Sequence, residues 1–197
     1  MARNCDLVFA EALTHEQFEN LNLDKSEYTI YENNPDYLIY RKNYLTISDG
    51  DIIFCKGDFI FELFSILNKL KDIDNISILT HQMAQPAIGR ELFELRPSCV
   101  KYWYALNVNH EDPFLVPVPL GLANEYANAN LQVEDIQNTL NTSRKVYKKN
   151  TILVNFNTST SAKREGVKKY YKDFSWATNK EIQSKQSFIK NLYQNKY

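Results

Sequence analysis

Three side chains in the first half of the chain have proton-handling or charge chemistry: Lys56, Asp58 and His81. Lys56 and Asp58 follow the apolar run Ile52–Cys55, and His81 follows another, Ile76–Leu79, in the sequence ILTHQ. At the carboxyl end of a strand an imidazole can act as a general base or contact a sugar hydroxyl. It can equally be a loop histidine bonded to a neighbour. Asp58 reads either as part of such a constellation or as the N-cap of the helix that follows. Asn107 closes the aromatic run YWYAL, where its amide would hold a polar ligand beside a stacking ring, or make an Asx turn. The densest polar group comes later: Asn155, Asn157, Thr158, Thr160 and Arg164. There an apolar run ends, a loop of amides and hydroxyls follows, and a helix begins. Free N–H groups and the helix dipole suit that point to an anion. Arg164, about one turn into the helix, would add a charge-assisted bond to a phosphate. The plainer reading is capping by Thr158 or Thr160, with Arg164 on a solvated face.

The elements that would position these residues are legible in part. Asp6–Ala10 reads as a strand, and Thr14 opens a T-x-x-Q capping box with Gln17, flanked by Leu13 and Phe18 as a hydrophobic staple. Extended segments are expected near Tyr28–Tyr31 and Tyr37–Tyr40, either side of the turn Asn33–Asp36. Asp51–Cys55 reads as a buried strand, and Ile60, Leu63, Phe64, Leu67 and Leu70 share one helical face after it. Ile76–Leu79 returns as a strand, which makes a βαβ unit with parallel strands. A helix over Ile88–Leu95 and a strand over Val100–Leu106 repeat the pattern. Val116-Pro-Val-Pro119 lacks two amide donors, so it belongs to an edge or a connector, and Gly121 after it suits a positive φ. Leu131–Leu140 reads as a helix, Thr151–Phe156 as a strand, Thr160–Tyr171 as a helix, Phe174–Ala177 as a short strand, and Ser184–Gln194 as a helix. Two strand endings on either side of a stiff connector suggest two sheets facing one cleft.

Composition narrows the classes. The 197 residues fit one large domain, or one small domain plus part of another; 44% are hydrophobic and 24% charged, as in an ordinary globular protein. A net charge of -1 gives no global pull toward nucleic acid or anionic lipid. No apolar run approaches the ~18 residues needed to span a bilayer. The start, MARNCDLVFAEAL, meets Glu11 too soon for a signal peptide, so a cytoplasmic location is expected. Cys5, Cys55 and Cys99 are odd in number and far apart, which reads as free thiols in a reducing compartment rather than a metal site. None of the five glycines builds a GxGxxG or a GxxxxGK[ST] motif, so the standard dinucleotide and P-loop fingerprints are missing.

Taken in order, the segments CKGDFI, ILTHQ, YWYALN, VPVPLGLAN, ILVNFNTSTSAKRE and SFIKNLYQNKY resemble exostosin-like glycosyltransferases, and more closely the small bacterial and viral GT-B-type proteins related to them. The resemblance runs from about Asp51 onward. Its most telling pieces are VPVPLGLAN and the pattern formed by Asn155, Phe156, Asn157, Thr158 and Arg164. It implies an α/β fold: a Rossmann-like GT-B amino-terminal domain over 1–125 on the acceptor side, a linker helix and loop over 126–150, and the start of a second, incomplete Rossmann-like donor domain over 151–197.

By the same resemblance the activity is transfer of a sugar from a nucleotide-sugar to a hydroxyl of a glycan or other acceptor. His81 and Asp58 would be catalytic, Asn107 and Asn124 would bind substrate, and Asn155, Asn157, Thr158 and Arg164 would lie at the donor diphosphate. The nucleotide-sugar is then a co-substrate, no further cofactor is implied, and the lack of a DxD motif agrees with a site without metal. Family members continue past a segment like SFIKNLYQNKY into a Gly-rich stretch, an Arg and a Trp-Glu pair that hold the donor. The resemblance therefore implies the amino-terminal part of such an enzyme, incomplete or inactive alone, completed by a further domain or a second copy. The alternative is a non-catalytic α/β module, derived from such an enzyme, that binds a glycan or a protein.

Overall fold

The computed structural model describes residues 1–83, 87–122, 126–127, 130–142, 152–156, 158–160, 162–179 and 184–189. The chain forms two compact units, Met1–Gly121 and Leu122–Tyr197.

The first unit is a seven-stranded sheet with helices. Its strands are β1 (Leu7–Leu13), β2 (Tyr28–Asn33), β3 (Leu38–Lys42), β4 (Ile52–Lys56), β5 (Ile76–His81), β6 (Val100–Ala105) and β7 (Leu115–Pro117). They lie in the order β2-β3-β1-β4-β5-β6-β7. From β1 through β7 the five neighbouring strands are parallel, while β3 and β2 are antiparallel at the other end. Leu7, Ile53, Ile78, Trp103 and Leu115 form one row across the parallel strands. Helix α2 (Ile60–Leu67) buries Ile60, Leu63, Phe64 and Leu67 in the same cluster as Ile53, Ile78 and Trp103. That helix has no side-chain cap. Burying each large side chain stabilises by about 1.5–3 kcal/mol, against about 1 kcal/mol for a missing cap, so packing decides its formation.

Strand alternation sends Ile39 to that main core, and Leu38 and Tyr40 to the other face. There they meet Leu13, with Phe18 of α1 (His15–Glu19) packed against them. The capping box is present: the Gln17 N–H donates to Thr14 Oγ1 at 3.1 Å, and the Thr14 N–H donates to Gln17 Oε1 at 3.2 Å. Phe18 meets Tyr28 edge-on at 4.9 Å between centroids.

Several boundaries differ from the sequence expectation. β1 continues to Leu13, so Glu11 is a strand residue, buried, with Arg3 donating to it at 2.7 Å. Asp58 does not cap α2. A 3-10 turn over Gly57–Phe59 intervenes, the Ile60 N–H bonds the Gly57 carbonyl, and the Asp58 carboxylate turns back to pair with Lys56. Helix α3 starts at Arg90, two residues later than expected, because Ile88 is held in a bridge to Val108. His81 is the last residue of β5 rather than the first after it.

β7 is an edge strand, as the prolines require. The Val118 N–H donates inward to the Ala105 carbonyl at 2.9 Å. Backbone alternation then turns the nitrogens of Pro117 and Pro119 outward, where their missing hydrogens cost the sheet no bond. Gly121 has φ +74°, as expected.

The second unit contains α4 (Val133–Thr142), β8 (Ile152–Val154), α5 (Ala162–Tyr170) and β9 (Ala177–Asn179). β8 and β9 pair in parallel. A 3-10 turn over Thr158–Thr160 precedes α5, so the helix begins later than Thr160. β9 begins where the expected strand ended, because Phe174 and Trp176 pack with Tyr171 in an aromatic cluster instead. Residues 185–189 are helical, and the remainder of that expected helix, 190–194, lies outside the described residues. Asp135 accepts from the Gln132 N–H and pairs with Lys185 at 3.0 Å; the first bond and then the lysine hold its carboxyl below the ordinary value. No helix among the described residues is long and apolar enough to cross a membrane.

Candidate functional site

Open α/β sheets bind ligands beyond the carboxyl ends of their strands, at the point where successive connections leave in opposite directions. In the first unit that point lies between β1 and β4. From β1 the chain goes out to β2 and returns through β3, and β4 lies on β1's other side. The β1–β4 ladder stops at the pair Ala10–Cys55, so Ala12 is beyond it. The gap is closed by a side chain. The Gln82 carboxamide oxygen accepts from the Ala12 N–H at 2.8 Å, and its NH2 donates to the Ala12 carbonyl at 3.1 Å. A single amide thus takes the place of a strand.

His81 sits at the end of the central parallel strand, in register with Lys56 on β4. Its Nε2 is 3.1 Å from the Leu120 carbonyl. A carbonyl only accepts, so Nε2 carries the hydrogen and Nδ1 is the basic nitrogen of the neutral ring. Burial lowers the imidazole pKa, against the pull of the Leu120 and Pro119 carbonyls. The Lys56 ammonium is likewise lowered by burial, and Glu32 opposes that shift. Thr80, just before His81, is buried and accepts from Trp103 Nε1 at 2.9 Å, which ties the strand end into the core.

Asn107 lies at the end of β6, exposed, with φ +51°. Its carbonyl accepts from the Ile88 N–H at 2.8 Å. Asp58, His81 and Asn107 therefore follow or end three neighbouring parallel strands and share one edge of the sheet. They do not make one contact network: Asp58 is paired with Lys56, and His81 is bonded to Leu120. Beside that edge opens a cavity of about 720 Å3 whose lining includes Asp58, Phe61, Met83, Arg90, Glu91 and Asn109. Two carboxylates, a guanidinium, an amide and an aromatic face suit a polyhydroxylated ligand. Among the described residues no three His, Cys, Asp or Glu side chains are grouped as metal ligands.

In the second unit Asn155 directly follows β8, and Thr158 opens the 3-10 turn before α5. The Arg164 guanidinium lies over the Phe156 ring, 5.8 Å from its centroid. The arginine is thus brought back from the helix to the strand end, among the residues that the pattern grouped. Asn124 and Asn157 lie outside the described residues.

Sequence reasoning missed Gln82, Met83 and Asn109. The signal for Gln82 was only its place after a strand, since its partner is 70 residues away. Met83 is marked by Gly57, where a Cβ would come within 2.6 Å of the methionine's Cβ.

Compared with known protein families and with curated proteins, the chain matches none.

Proposed function

We propose that this chain is a GT-B-type glycosyltransferase in which a Rossmann-like first unit receives the acceptor and the second unit contributes to the donor side. The acceptor hydroxyl attacks the anomeric carbon, the bond from that carbon to the diphosphate oxygen breaks, and the diphosphate leaves with the electron pair. His81 Nδ1 takes the hydroxyl proton. Asp58, held by Lys56, is the second catalytic group beside it; Asn107 and Asn124 bind the acceptor, and Asn155, Asn157, Thr158 and Arg164 stabilise the departing diphosphate. A cytoplasmic setting belongs to the same proposal and is supported by the unpaired thiols of Cys55 and Cys99, both buried.

The observation that carries this reading is the state of His81. The ring ends the central parallel strand with Nε2 on the Leu120 carbonyl, and its burial lowers the imidazole pKa, which favours the neutral form that a base requires. One observation favours the alternative, a non-catalytic glycan-binding module on the same edge. Gln82 fills the switch-point gap and Lys56 engages Asp58, so two features that would serve catalysis are bound to the protein itself. Calorimetry with UDP- and GDP-sugars, followed by a transfer assay with simple glycosides, tests both. Heat from a nucleotide-sugar that Arg164→Ala abolishes supports the enzyme. Glycoside binding without any nucleotide-sugar heat supports the module.

A further inference from the structure

Two consecutive side chains at the end of β5 reach in opposite directions along the carboxyl edge. Gln82 passes β4 and closes two bonds on Ala12 of β1. His81 reaches the other way to Leu120, beyond β7. The backbone between them is held out of its ordinary range. Gln82 has φ +53°, a conformation that a residue other than Gly, Asn or Asp adopts only when its surroundings impose it. The impositions are visible: the carboxamide is pinned on Ala12, and Met83, the next residue, is seated on Gly57.

We propose that Gln82 is a positioning residue for His81: its two bonds to Ala12 hold the β5 terminus so that the imidazole keeps Nε2–H on Leu120 and leaves Nδ1 as the basic nitrogen. The bond pattern carries the argument. Ala12 offers a donor and an acceptor where β4 no longer pairs with β1, and a primary carboxamide is the side chain that answers both from one planar group. The functional meaning of the proposal rests on the reading of His81 as a base; the geometry does not. The titratable groups on the elements around the ring are Lys56 on β4, ion-paired with Asp58, Tyr104 on β6, and the amino terminus.

The test is a histidine NMR titration of the full chain, which needs no turnover. The chain has three histidines, so His15 and His110 serve as internal controls. Gln82→Ala removes the brace, and Gln82→Met removes both bonds while keeping the length. In both, the His81 titration is expected to move up toward the ordinary histidine value and its ring nitrogens to show a mixture of tautomers, with His15 and His110 unchanged. An unmoved His81 in either folded variant overturns the proposal. General loss of structure in both overturns it as well, because Gln82 would then serve stability rather than position. Should His81 respond while no variant or wild-type chain transfers sugar, the brace stands and the enzyme reading falls.

Discussion

A histidine takes a proton from a hydroxyl only while it is itself neutral. Burial lowers the pKa of His81 and so favours the neutral ring, with a consequence for stability. The folded-state pKa lies below the unfolded one, so on acidification the unfolded chain binds its proton first. Stability is then lost as pH falls below about 6.5. Glu11 acts in the opposite sense. Burial raises its carboxyl against the pull of Arg3, so its contribution worsens as pH rises through the folded value. His81→Gln is expected to flatten the decline of the urea midpoint between about pH 7.5 and pH 5.5; an equal slope in both proteins would show that burial of the ring has no such effect. Thr80→Val leaves the buried Trp103 indole N–H without its partner. The expected loss is about 1–3 kcal/mol by urea denaturation. At this scale the sequence was informative where chemistry is local. His81 and Asn107 stand out because apolar runs stop beside them. Gln82 does not, because its role exists only once β1 lies beside β4.

At the scale of elements, the passage from β4 into α2 shows why caps and contacts must be weighed together. Asp58 has the residue type of a cap, yet the chain enters the helix through a 3-10 turn that satisfies its first donors internally. Gly57 in that turn lies under Met83. Gly57→Ala is expected to cost about 1–3 kcal/mol through overpacking. Combined with Met83→Gly, which also removes the Cβ that the added methyl would meet at 2.6 Å, most of that cost is expected to disappear, and a double-mutant cycle reads the coupling. Additive losses would show that the glycine is needed for another reason. Thr14→Ala is a simpler case, with about 1 kcal/mol expected from the capping box alone. That motif was readable because all its parts lie within one turn. The βαβ unit through Ile53, Leu63 and Ile78 was readable from two periods meeting. The start of β9 was not, because Phe174 and Trp176 have strand-forming side chains that the fold spends on each other.

At the scale of the whole molecule, apolar burial among the described residues is unequal between the two units. Both hydrophobic clusters lie within Met1–Gly121, whereas among the described residues beyond Gly121 only Val154 is a buried hydrophobic. A chain of residues 1–121 is therefore expected to unfold cooperatively in urea on its own; a gradual, non-cooperative loss of structure would contradict this. Fold class was legible from alternating strand and helix patterns. The position of the β2–β3 hairpin outside β1 was not, since nothing local to Tyr28–Lys42 names its partner.

The prolines of β7 bear on how copies of this protein treat one another. Open main-chain donors along a sheet border invite recruitment of a foreign strand and, at high concentration, fibril growth. Here Pro117 and Pro119 turn nitrogen without hydrogen toward solvent. The opposite border, β2, is interrupted between Ile30 and Glu32 by an irregularity in its pairing, which spoils a flat docking line. The sheet is thus terminated chemically on one side and geometrically on the other, two features that work against the addition of an eighth strand.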